Sequence, residues 1–343
     1  MPNVVLITGV GSLLGGEVAA ILAADPNIGR LIGVDTSPPG PAIEARLGRT
    51  EFVRADIGTA LITKVIAQAH VDTVVHTAPP SRSRPKCRHV TETLQLLAGC
   101  QLSESVRRVV VESSTAVYGA SPRAPAACTE SMRTTATTAP GKAREAIEVE
   151  SSVRAFARRR PDIAVTVLRL AEILGPRVET PLSRYLAMPI VPASLGYDPR
   201  LQLLHEDDAA EVLRRASTQH HPGVFNVAGD GVVPLSQALR WAGRIRLPVP
   251  SRAMSLVGGL VRNRGVVELS AEQAQLLSFG RVVDTSRLRE EFGYAPPHST
   301  AATLRSFLDG RPGLPNLPVA VVVGAQRLVQ DRIPRVPGIR AVS

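Results

Sequence analysis

A glycine-rich turn near the start of the chain has the residue types and the spacing needed to bind the phosphates of a nucleotide. Gly9, Gly11 and Gly15 follow the apolar run 4–7 and precede a helical pattern over 16–24. The other residues of the turn are Ser12, Leu13 and Leu14. Glycines allow a tight turn and let backbone N–H groups approach a pyrophosphate, while the following helix directs the positive end of its dipole toward it. The pattern predicts a dinucleotide site.

An acidic residue follows at the position where the ribose of such a nucleotide would be recognised. Asp35 ends the apolar run 31–34, about twenty-six residues after the first glycine of the turn. Its carboxylate can accept hydrogen bonds from the adenosine ribose and would repel a 2′-phosphate, which favours NAD over NADP. Asp56 and Ile57 follow a third short strand and are expected near the adenine ring. The alternative is a turn that only packs strand on helix, and Asp35 argues against it.

Strand-like apolar runs alternate with helical patterns through the first half of the chain. This alternation is typical of a parallel sheet with helices on both of its faces. The apolar runs are residues 4–7, 31–34, 73–76, 109–111 and 165–170. The predicted fold class is therefore α/β, a Rossmann-type doubly wound parallel sheet with a smaller, interleaved C-terminal substrate lobe.

The domain boundaries are predicted from the point where this regularity decays. After residue 170 the elements become shorter and richer in proline, although the strand-like run 225–227 is expected to return to the main sheet. We assign 1–170 and 201–228 to the NAD-binding domain and 171–200 and 229–311 to the substrate lobe. Residues 312–343 are rich in proline and valine without a clear period, and we predict a tail there.

The basic charge of the chain does not indicate nucleic-acid binding. The net charge is +10, the arginines are scattered, and aromatic residues make up only 3% of the 343 residues. No RNA or DNA recognition motif is present, so the charge is interpreted as weak steering of a small anionic substrate such as a nucleotide diphosphate. Lysine is rare, and the lysines are Lys64, Lys86 and Lys142.

Neither a metal site nor a membrane anchor is expected. The cysteines, Cys87, Cys100 and Cys128, lack the spacing of metal ligands. The apolar run 4–7 has no basic flank and is predicted as a strand rather than a signal peptide. No stretch reaches the roughly eighteen apolar residues of a membrane span. These features predict a cytoplasmic protein without a metal.

Several motifs in a fixed order resemble the extended short-chain dehydrogenase/reductases, in particular the NAD-dependent epimerase/dehydratase family of the UDP-glucose/UDP-galactose 4-epimerase type. Besides the cofactor turn they are residues 75–78, 113–119, 169–176 and 204–208, and the resemblance covers roughly residues 3–310. It implies NAD as the cofactor, with Thr77, Ala78 and Pro79 beside it. It also implies a nucleotide-sugar substrate and a homodimer formed through the helices at 91–100 and 142–158.

The chain carries only part of the catalytic set that this resemblance implies. In such enzymes a tyrosine precedes a lysine by four residues on one helix, and the tyrosinate takes a proton while hydride leaves the sugar carbon. Lys142 matches the lysine, which holds the nicotinamide ribose, and Ser114 matches a hydroxyl that completes the set. Thr138 stands where the tyrosine is expected. An aliphatic hydroxyl does not ionise near neutral pH, so low or absent activity is expected unless another group serves.

Other departures concern the substrate side. Glu172 replaces a substrate-facing asparagine, and Leu201 replaces an arginine that relatives use near the diphosphate, four residues before His205. The neighbouring Arg200 is expected to point to the other face of its strand. Glu172 and Tyr118 are alternative candidates for the acid–base role or for substrate contact, and for each a packing or hydrogen-bonding role is the competing interpretation.

Two functions are compatible with these residues. The first is an NAD-dependent nucleotide-sugar epimerase, dehydratase or related oxidoreductase with an altered active site. The second is a catalytically silent NAD-binding protein that acts as a sensor or as a regulatory subunit. The retained cofactor motif supports the first, and Thr138 together with Glu172 supports the second.

Overall fold

The structure is a computed structural model that describes residues 3–77, 88–132, 134, 141–250 and 270–311, with Lys142 described by its backbone alone. The strands are β1 (Val4–Thr8), β2 (Arg30–Asp35), β3 (Glu51–Arg54), β4 (Thr73–His76), β5 (Arg108–Ser114), β6 (Ala164–Leu170), β7 (Glu172–Leu174), β8 (Ile190–Ser194), β9 (Arg200–Leu201), β10 (Leu203–His205), β11 (Gly223–Val227), β12 (Val233–Pro234) and β13 (Ile245–Val249). The helices are α1 (Leu13–Ala23), α2 (Pro41–Glu44), α3 (Leu61–Gln68), α4 (Arg88–Leu102), α5 (Lys142–Arg159), α6 (Pro181–Ala187), α7 (Glu206–Thr218), α8 (Leu235–Trp241), α9 (Ala271–Phe279), α10 (Ser286–Glu290) and α11 (Thr300–Asp309). The predicted tail 312–343 lies outside the described residues.

The main sheet is parallel and has seven strands in the order β11-β6-β5-β4-β1-β2-β3. The order reverses at β1, which pairs with β2 on one side and with β4 on the other. In such sheets a ligand binds at the carboxyl ends of the strands where the order reverses. The predicted fold class is confirmed, and residues 225–227 return to this sheet as part of β11.

The sheet forms because its strands are apolar on both faces. In β1, Val5 and Ile7 pack against α1 and α7 in a first core, while Leu6 packs against α3, α4 and α5 in a second core. Successive residues of a strand point to opposite faces, so one short run supplies both cores. Burying each large aliphatic side chain stabilises the fold by roughly 1.5–3 kcal/mol. In the parts of the chain that the structure describes, no helix combines the length and the apolar character that a membrane crossing requires.

A second region is built from short strands outside the main sheet. β7 pairs with β10 and β8 pairs with β13, both in parallel, and β9 pairs with β12 in antiparallel fashion. Leu174, Leu201, Leu203, Leu304 and Phe307 belong to the third core, which holds these pieces together. Within the segment 201–228, β9 and β10 pair with these short strands, while α7 and β11 pack with the main sheet. The division into two domains stays a prediction.

One arginine ties the second region to the first helix of the main sheet. The guanidinium of Arg177, just after β7, donates hydrogen bonds to Glu17 of α1 and to Glu206 at the start of α7, each at 2.8 Å. Glu206 also accepts a hydrogen bond from the backbone N–H of Val178 at 2.7 Å. Glu17 and Glu206 are buried, and burial of a carboxylate is tolerated when it is paired and hydrogen-bonded.

A second buried arginine joins three elements below the end of β5. Arg169 of β6 makes a bidentate ion pair with Glu150 of α5, with distances of 2.9 and 2.6 Å, and both side chains are 3% exposed. Glu150 also accepts a hydrogen bond from Ser113 of β5 at 2.6 Å, and Arg169 donates to the hydroxyl of Tyr118 at 2.6 Å. Planar, bidentate pairing suits the fork of donors on arginine. These bonds fix the position of α5 relative to the carboxyl end of β5.

Replacing this guanidinium should destabilise the fold strongly. We expect Arg169→Met to lower the free energy of unfolding by about 3–5 kcal/mol, because it leaves the carboxylate of Glu150 buried without a cation. Denaturation of the full chain in urea measures the loss. The matched control is Arg154→Met, since Arg154 lies 3.9 Å from the same carboxylate but is exposed. Its effect should stay within about 1 kcal/mol, and equal losses in the two variants would contradict the assignment.

Candidate functional site

The turn between β1 and α1 is closed by a serine as well as by glycines. Gly9 adopts a φ of +74°, in the left-handed region that favours glycine. Ser12 is the N-cap of α1: its hydroxyl donates to the carbonyl of Gly9 at 2.7 Å and accepts from the N–H of Gly15 at 3.1 Å. In the structure its side chain satisfies one of the free N–H groups at the helix start.

The glycines are required because the backbone is closely packed around them. A Cβ added at Gly15 would lie 2.3 Å from the carbonyl oxygen of Gly9, and one at Gly9 would lie 2.6 Å from Oγ1 of Thr77. Leu13 and Leu14 begin α1, so their N–H groups face the open end of the helix. The turn therefore has the bare backbone and the helix N-terminus that a pyrophosphate site needs.

Asp35 lies directly beside this turn. It is the last residue of β2, and its Oδ2 accepts a hydrogen bond from the N–H of Gly11 at 3.1 Å. Its Oδ1 accepts one from the N–H of Thr36 at 2.7 Å. A Cβ at Gly11 would lie 3.0 Å from Oδ2, so glycine also leaves room for this carboxylate. The structure brings the predicted phosphate turn and the predicted ribose ligand together.

Asp56 and Ile57 follow β3, the strand next to β2. Asp56 accepts a hydrogen bond from the N–H of Gly58 at 2.9 Å and forms an ion pair of 2.9 Å with Arg88 at the start of α4. Ile57 is buried in the second core. Asp56 thus fixes the loop after β3 to α4, and the contact of both residues with adenine stays a prediction.

The end of β4 is fixed by a neutral histidine. His76 lies between Oγ1 of Thr8, at 2.7 Å, and Oγ1 of Thr93 on α4, at 2.9 Å, and stacks on His89. Burial, together with His89, holds the pKa of His76 well below its usual value, so the ring is uncharged at neutral pH. The next residue, Thr77, donates to the carbonyl of Thr8 at 2.6 Å. Ala78 and Pro79, also predicted beside the cofactor, lie outside the described residues.

Ser114 ends β5 and caps the short 3-10 turn Thr115–Tyr118. Its Oγ accepts a hydrogen bond from the N–H of Ala116 at 3.2 Å. β5 pairs with β4, the strand beside β1, so Ser114 lies at the same carboxyl edge of the sheet as the cofactor turn. This position agrees with the predicted role of a hydroxyl near the nicotinamide, which stays a prediction.

Helix α5 begins at Lys142, in agreement with the helix predicted at 142–158. Gly141 precedes the helix with a φ of 96°. Thr138 lies outside the described residues, and its place at the tyrosine position stays a prediction. The first pair of residues on α5 that are separated by four is Lys142 and Ala146. The predicted binding of Lys142 to the nicotinamide ribose stays a prediction.

The hydroxyl of Tyr118 is occupied by interior partners. It donates to Oδ1 of Asn226 on β11 at 2.8 Å and accepts from Arg169 at 2.6 Å. Burial raises the pKa of Tyr118 above its usual value, although Arg169 and Asn226 act in the opposite direction. A tyrosine held in this way does not ionise readily. The geometry favours the packing and hydrogen-bonding interpretation of Tyr118 over a substrate or acid–base role.

Glu172 has an ion-pair partner that lies far from it in the sequence. Its Oε1 forms an ion pair of 3.1 Å with Arg281, and Arg281 also donates to Oγ1 of Thr115, next to Ser114, at 3.2 Å. Burial lowers the pKa of Arg281, while the carboxylates of Glu172 and Glu272 act in the opposite direction. Arg281 is 109 residues from Glu172, and no local motif distinguishes it from the other arginines. Glu172 is therefore a satisfied polar residue.

These observations agree with a comparison against protein families. The model of the NAD dependent epimerase/dehydratase family matches residues 5–228, and the chain belongs to this family. The match confirms the predicted family and, at that level, NAD as the cofactor. Two sequence relatives are uncharacterized proteins of Mycobacterium tuberculosis (strain ATCC 25618 / H37Rv) and Mycobacterium bovis (strain ATCC BAA-935 / AF2122/97). Each is 46% identical over 317 residues, which cover 90% of this chain and 84% of the relative.

Solved structures share the fold at low sequence identity. A UDP-glucose 4-epimerase from Thermotoga maritima, crystallised with UDP-glucose, superposes with a TM-score of 0.67 at 16% identity. A UDP-glucuronic acid 4-epimerase from Bacillus cereus, in complex with UDP-glucuronic acid and NAD, gives a TM-score of 0.68 at 18% identity. Both comparisons cover 90% of this chain and 98% of the other. They establish the similarity of the fold.

A single methyl group in the turn should abolish tight cofactor binding. We expect Gly15→Ala to weaken NAD binding by at least about tenfold, the equivalent of roughly 1.4 kcal/mol, because the Cβ collides with the carbonyl of Gly9. Titration calorimetry measures the affinity of each variant for NAD. Gly40→Ala is the control, since a Cβ there meets nothing within 4 Å. If Gly15→Ala binds NAD as well as Gly40→Ala does, the turn is not the phosphate site.

Proposed function

We propose that the protein is an NAD-dependent nucleotide-sugar epimerase/dehydratase-like protein of the UDP-glucose 4-epimerase type, with an altered catalytic centre. The observation that carries this proposal is the cofactor turn, where Gly9, Gly11 and Gly15 leave no space for a side chain and Asp35 lies beside them. Membership of the family and a fold shared with UDP-sugar epimerases support it.

The residues at the carboxyl edge of the main sheet, around β1 and β2, fit NAD. The turn offers bare N–H groups to the phosphates, α1 directs its N-terminus toward them, and Asp35 offers a carboxylate to the ribose. NAD, when bound, would accept a hydride from the substrate carbon. Ser114, at the same edge of the sheet, would orient the reacting hydroxyl of the sugar. The pairing of Arg169 with Glu150 holds α5, and with it Lys142, at a fixed position relative to this serine.

The proton transfer step is the altered part of the site. Of the two alternatives considered for an acid–base group, Tyr118 is hydrogen-bonded in the interior and Glu172 is paired with Arg281. Thr138 stands in the sequence four residues before Lys142, where the resemblance implies a tyrosine. Loss of a positioned acid–base group costs about 10²–10⁴ in rate. Slow turnover is therefore part of the proposal.

A second candidate function is a catalytically silent NAD-binding sensor or regulatory subunit. The observation that favours it is the pairing of Glu172 with Arg281, because this pair places a carboxylate, rather than an amide, next to the residues around Ser114. In this case the cofactor site is retained for binding alone. The two candidates share the cofactor turn and differ in whether any substrate is converted.

Assays of substrate conversion distinguish the two candidates. If the first is correct, incubation with UDP-glucose or UDP-galactose should give slow interconversion, measured by chromatography of the products. Ser114→Ala should reduce the rate by a further factor of about 10² or more, because the positioned hydroxyl is lost. Ser105→Ala, three residues before the other end of the same strand, should leave the rate unchanged.

The outcome for the silent candidate is equally specific. NAD should bind in calorimetry while several nucleotide sugars show no turnover above the uncatalysed background, and the double variant Thr138→Tyr, Glu172→Asn should gain activity. Equal activity in the native chain and the double variant contradicts the silent candidate. No turnover together with no NAD binding contradicts both.

We also propose a homodimer formed through α4 and α5. These helices pack together on one side of the sheet, and α4 exposes Leu94 and Leu102, which are 50% and 75% accessible in the single chain. Apolar side chains at such positions are stabilised when a second copy covers them. Sedimentation velocity should therefore give the mass of two chains, and Leu94→Glu should shift it to that of one. A native chain that sediments as a monomer contradicts this proposal.

A further inference from the structure

One arginine and two carboxylates meet where the loop after β3 faces the start of α4. Arg88, the first residue of α4, donates from Nε to Oε1 of Glu92 at 2.8 Å and from Nη2 to Oδ2 of Asp56 at 2.9 Å. The side chain of Glu92 is 1% exposed, whereas that of Asp56 is 45% exposed. The guanidinium therefore connects a buried carboxylate of the helix with an accessible carboxylate of the loop.

The loop that carries Asp56 lies at the same edge of the sheet as the cofactor turn. It follows β3, which pairs with β2, and the N–H of Ala55 donates to the carbonyl of Asp35 at 3.0 Å. Asp56 thus lies next to the predicted ribose ligand, on the side away from β1. An accessible carboxylate at this place can accept a hydrogen bond from a nucleotide that is bound along the edge.

Helix α4 determines the direction in which Arg88 donates. Glu92, one turn further along the helix, holds Nε, and because a guanidinium is planar this also fixes the direction of Nη2. The helix is itself attached to the sheet, since Oγ1 of Thr93 lies 2.9 Å from Nε2 of His76, whose ring stacks on that of His89. The hydrogen bond to Asp56 therefore starts from a fixed donor.

Asp56 is held at both of its carboxylate oxygens. Oδ1 accepts from the N–H of Gly58 at 2.9 Å, and Oδ2 accepts from Arg88. Each carboxylate oxygen has two lone pairs, so these two bonds leave acceptor capacity for a ligand. The three side chains, Arg88, Glu92 and Asp56, together carry one negative charge. Such a group favours a ligand atom that donates a hydrogen bond over one that accepts.

We propose that Arg88 is a positioning residue of the cofactor site, which holds Asp56 so that its carboxylate accepts a hydrogen bond from the amino group of adenine. This inference rests on the proposed NAD-dependent function and deepens it. An arginine that only compensated the buried Glu92 would need no bond to Asp56. The predicted contact of Asp56 with adenine thereby depends on α4 as well as on the loop after β3.

Calorimetry with two dinucleotides tests this role without any need for turnover. Nicotinamide hypoxanthine dinucleotide has an oxygen in place of the amino group of adenine, so it cannot donate this hydrogen bond. The native chain should bind NAD about tenfold to a hundredfold more tightly, the usual value for a hydrogen bond to a charged group. Asp56→Ala should bind the two dinucleotides with about equal affinity.

Removal of the arginine should abolish the preference in the same way. Arg88→Met alone leaves Glu92 buried without its cation, so the decisive variant is Arg88→Met, Glu92→Met, which removes both members of the pair. It should still bind NAD, with a preference over the hypoxanthine dinucleotide of at most about threefold. Adding Asp56→Ala to this variant should change the preference no further, because Arg88 acts through Asp56.

The matched control is Arg30→Met. Arg30 also makes an ion pair with a carboxylate, that of Glu51, but at the opposite end of β2 and β3. This variant should keep the native preference. A native preference in Arg88→Met, Glu92→Met overturns the positioning role, and equal affinity of the native chain for both dinucleotides overturns the contact on which it rests. A native chain that binds neither dinucleotide overturns the proposed function itself.

Discussion

The guanidinium of Arg169 is the point on which the candidate site depends. It lies on β6, yet its partners belong to α5, through Glu150, and to the 3-10 turn, through Tyr118. The hydroxyl of Ser113 on β5 donates a hydrogen bond to the carboxylate of Glu150. The helix that begins at Lys142 and the strand that ends at Ser114 are therefore held by a single buried ion pair. Because both charges are desolvated, neither partner can leave without a large cost in free energy.

The residues predicted to bind the cofactor and those predicted to contact the substrate differ in their electrostatics. The predicted cofactor residues offer backbone N–H groups, a helix N-terminus and the carboxylate of Asp35, and the nearby His76 is neutral. The predicted substrate residues include a full charge that is paired, since Glu172 forms an ion pair with Arg281. Asp35 lies beside the glycine turn as expected, whereas Glu172 and Tyr118 have interior partners that the sequence does not indicate. A pyrophosphate site needs little beyond bare backbone at a helix N-terminus, so it can be predicted from local sequence.

The sequence predicts those features whose cause is local. The glycine turn, Asp35 and the alternating strands follow from steric freedom, hydrophobic periodicity and spacing along one βαβ unit, and the fold confirms them. The capping role of Ser12 had a local signal as well, because a serine directly before an apolar helix is a preferred N-cap. The helix predicted at 142–158 likewise has a local pattern, and α5 covers Lys142–Arg159.

Other features could not be predicted because they join distant parts of the chain. Glu172 meets Arg281, and Tyr118 meets Asn226, only after the second region has packed against the main sheet. The sequence around Arg281 does not indicate that its partner is Glu172.

The bridge made by Arg177 bears on the modularity of the protein. It supplies a cation to Glu17 on α1, the helix whose N-terminus closes the cofactor turn, and α7 and β11 complete the first core and the sheet. A fragment cut at residue 170 would keep every predicted cofactor residue and still lose one of the two arginines that pair with Glu17, the edge strand β11 and the Asn226 partner of Tyr118. Residues 1–170 are therefore packed and paired with residues that follow them in the chain, so the two regions share one set of interior contacts.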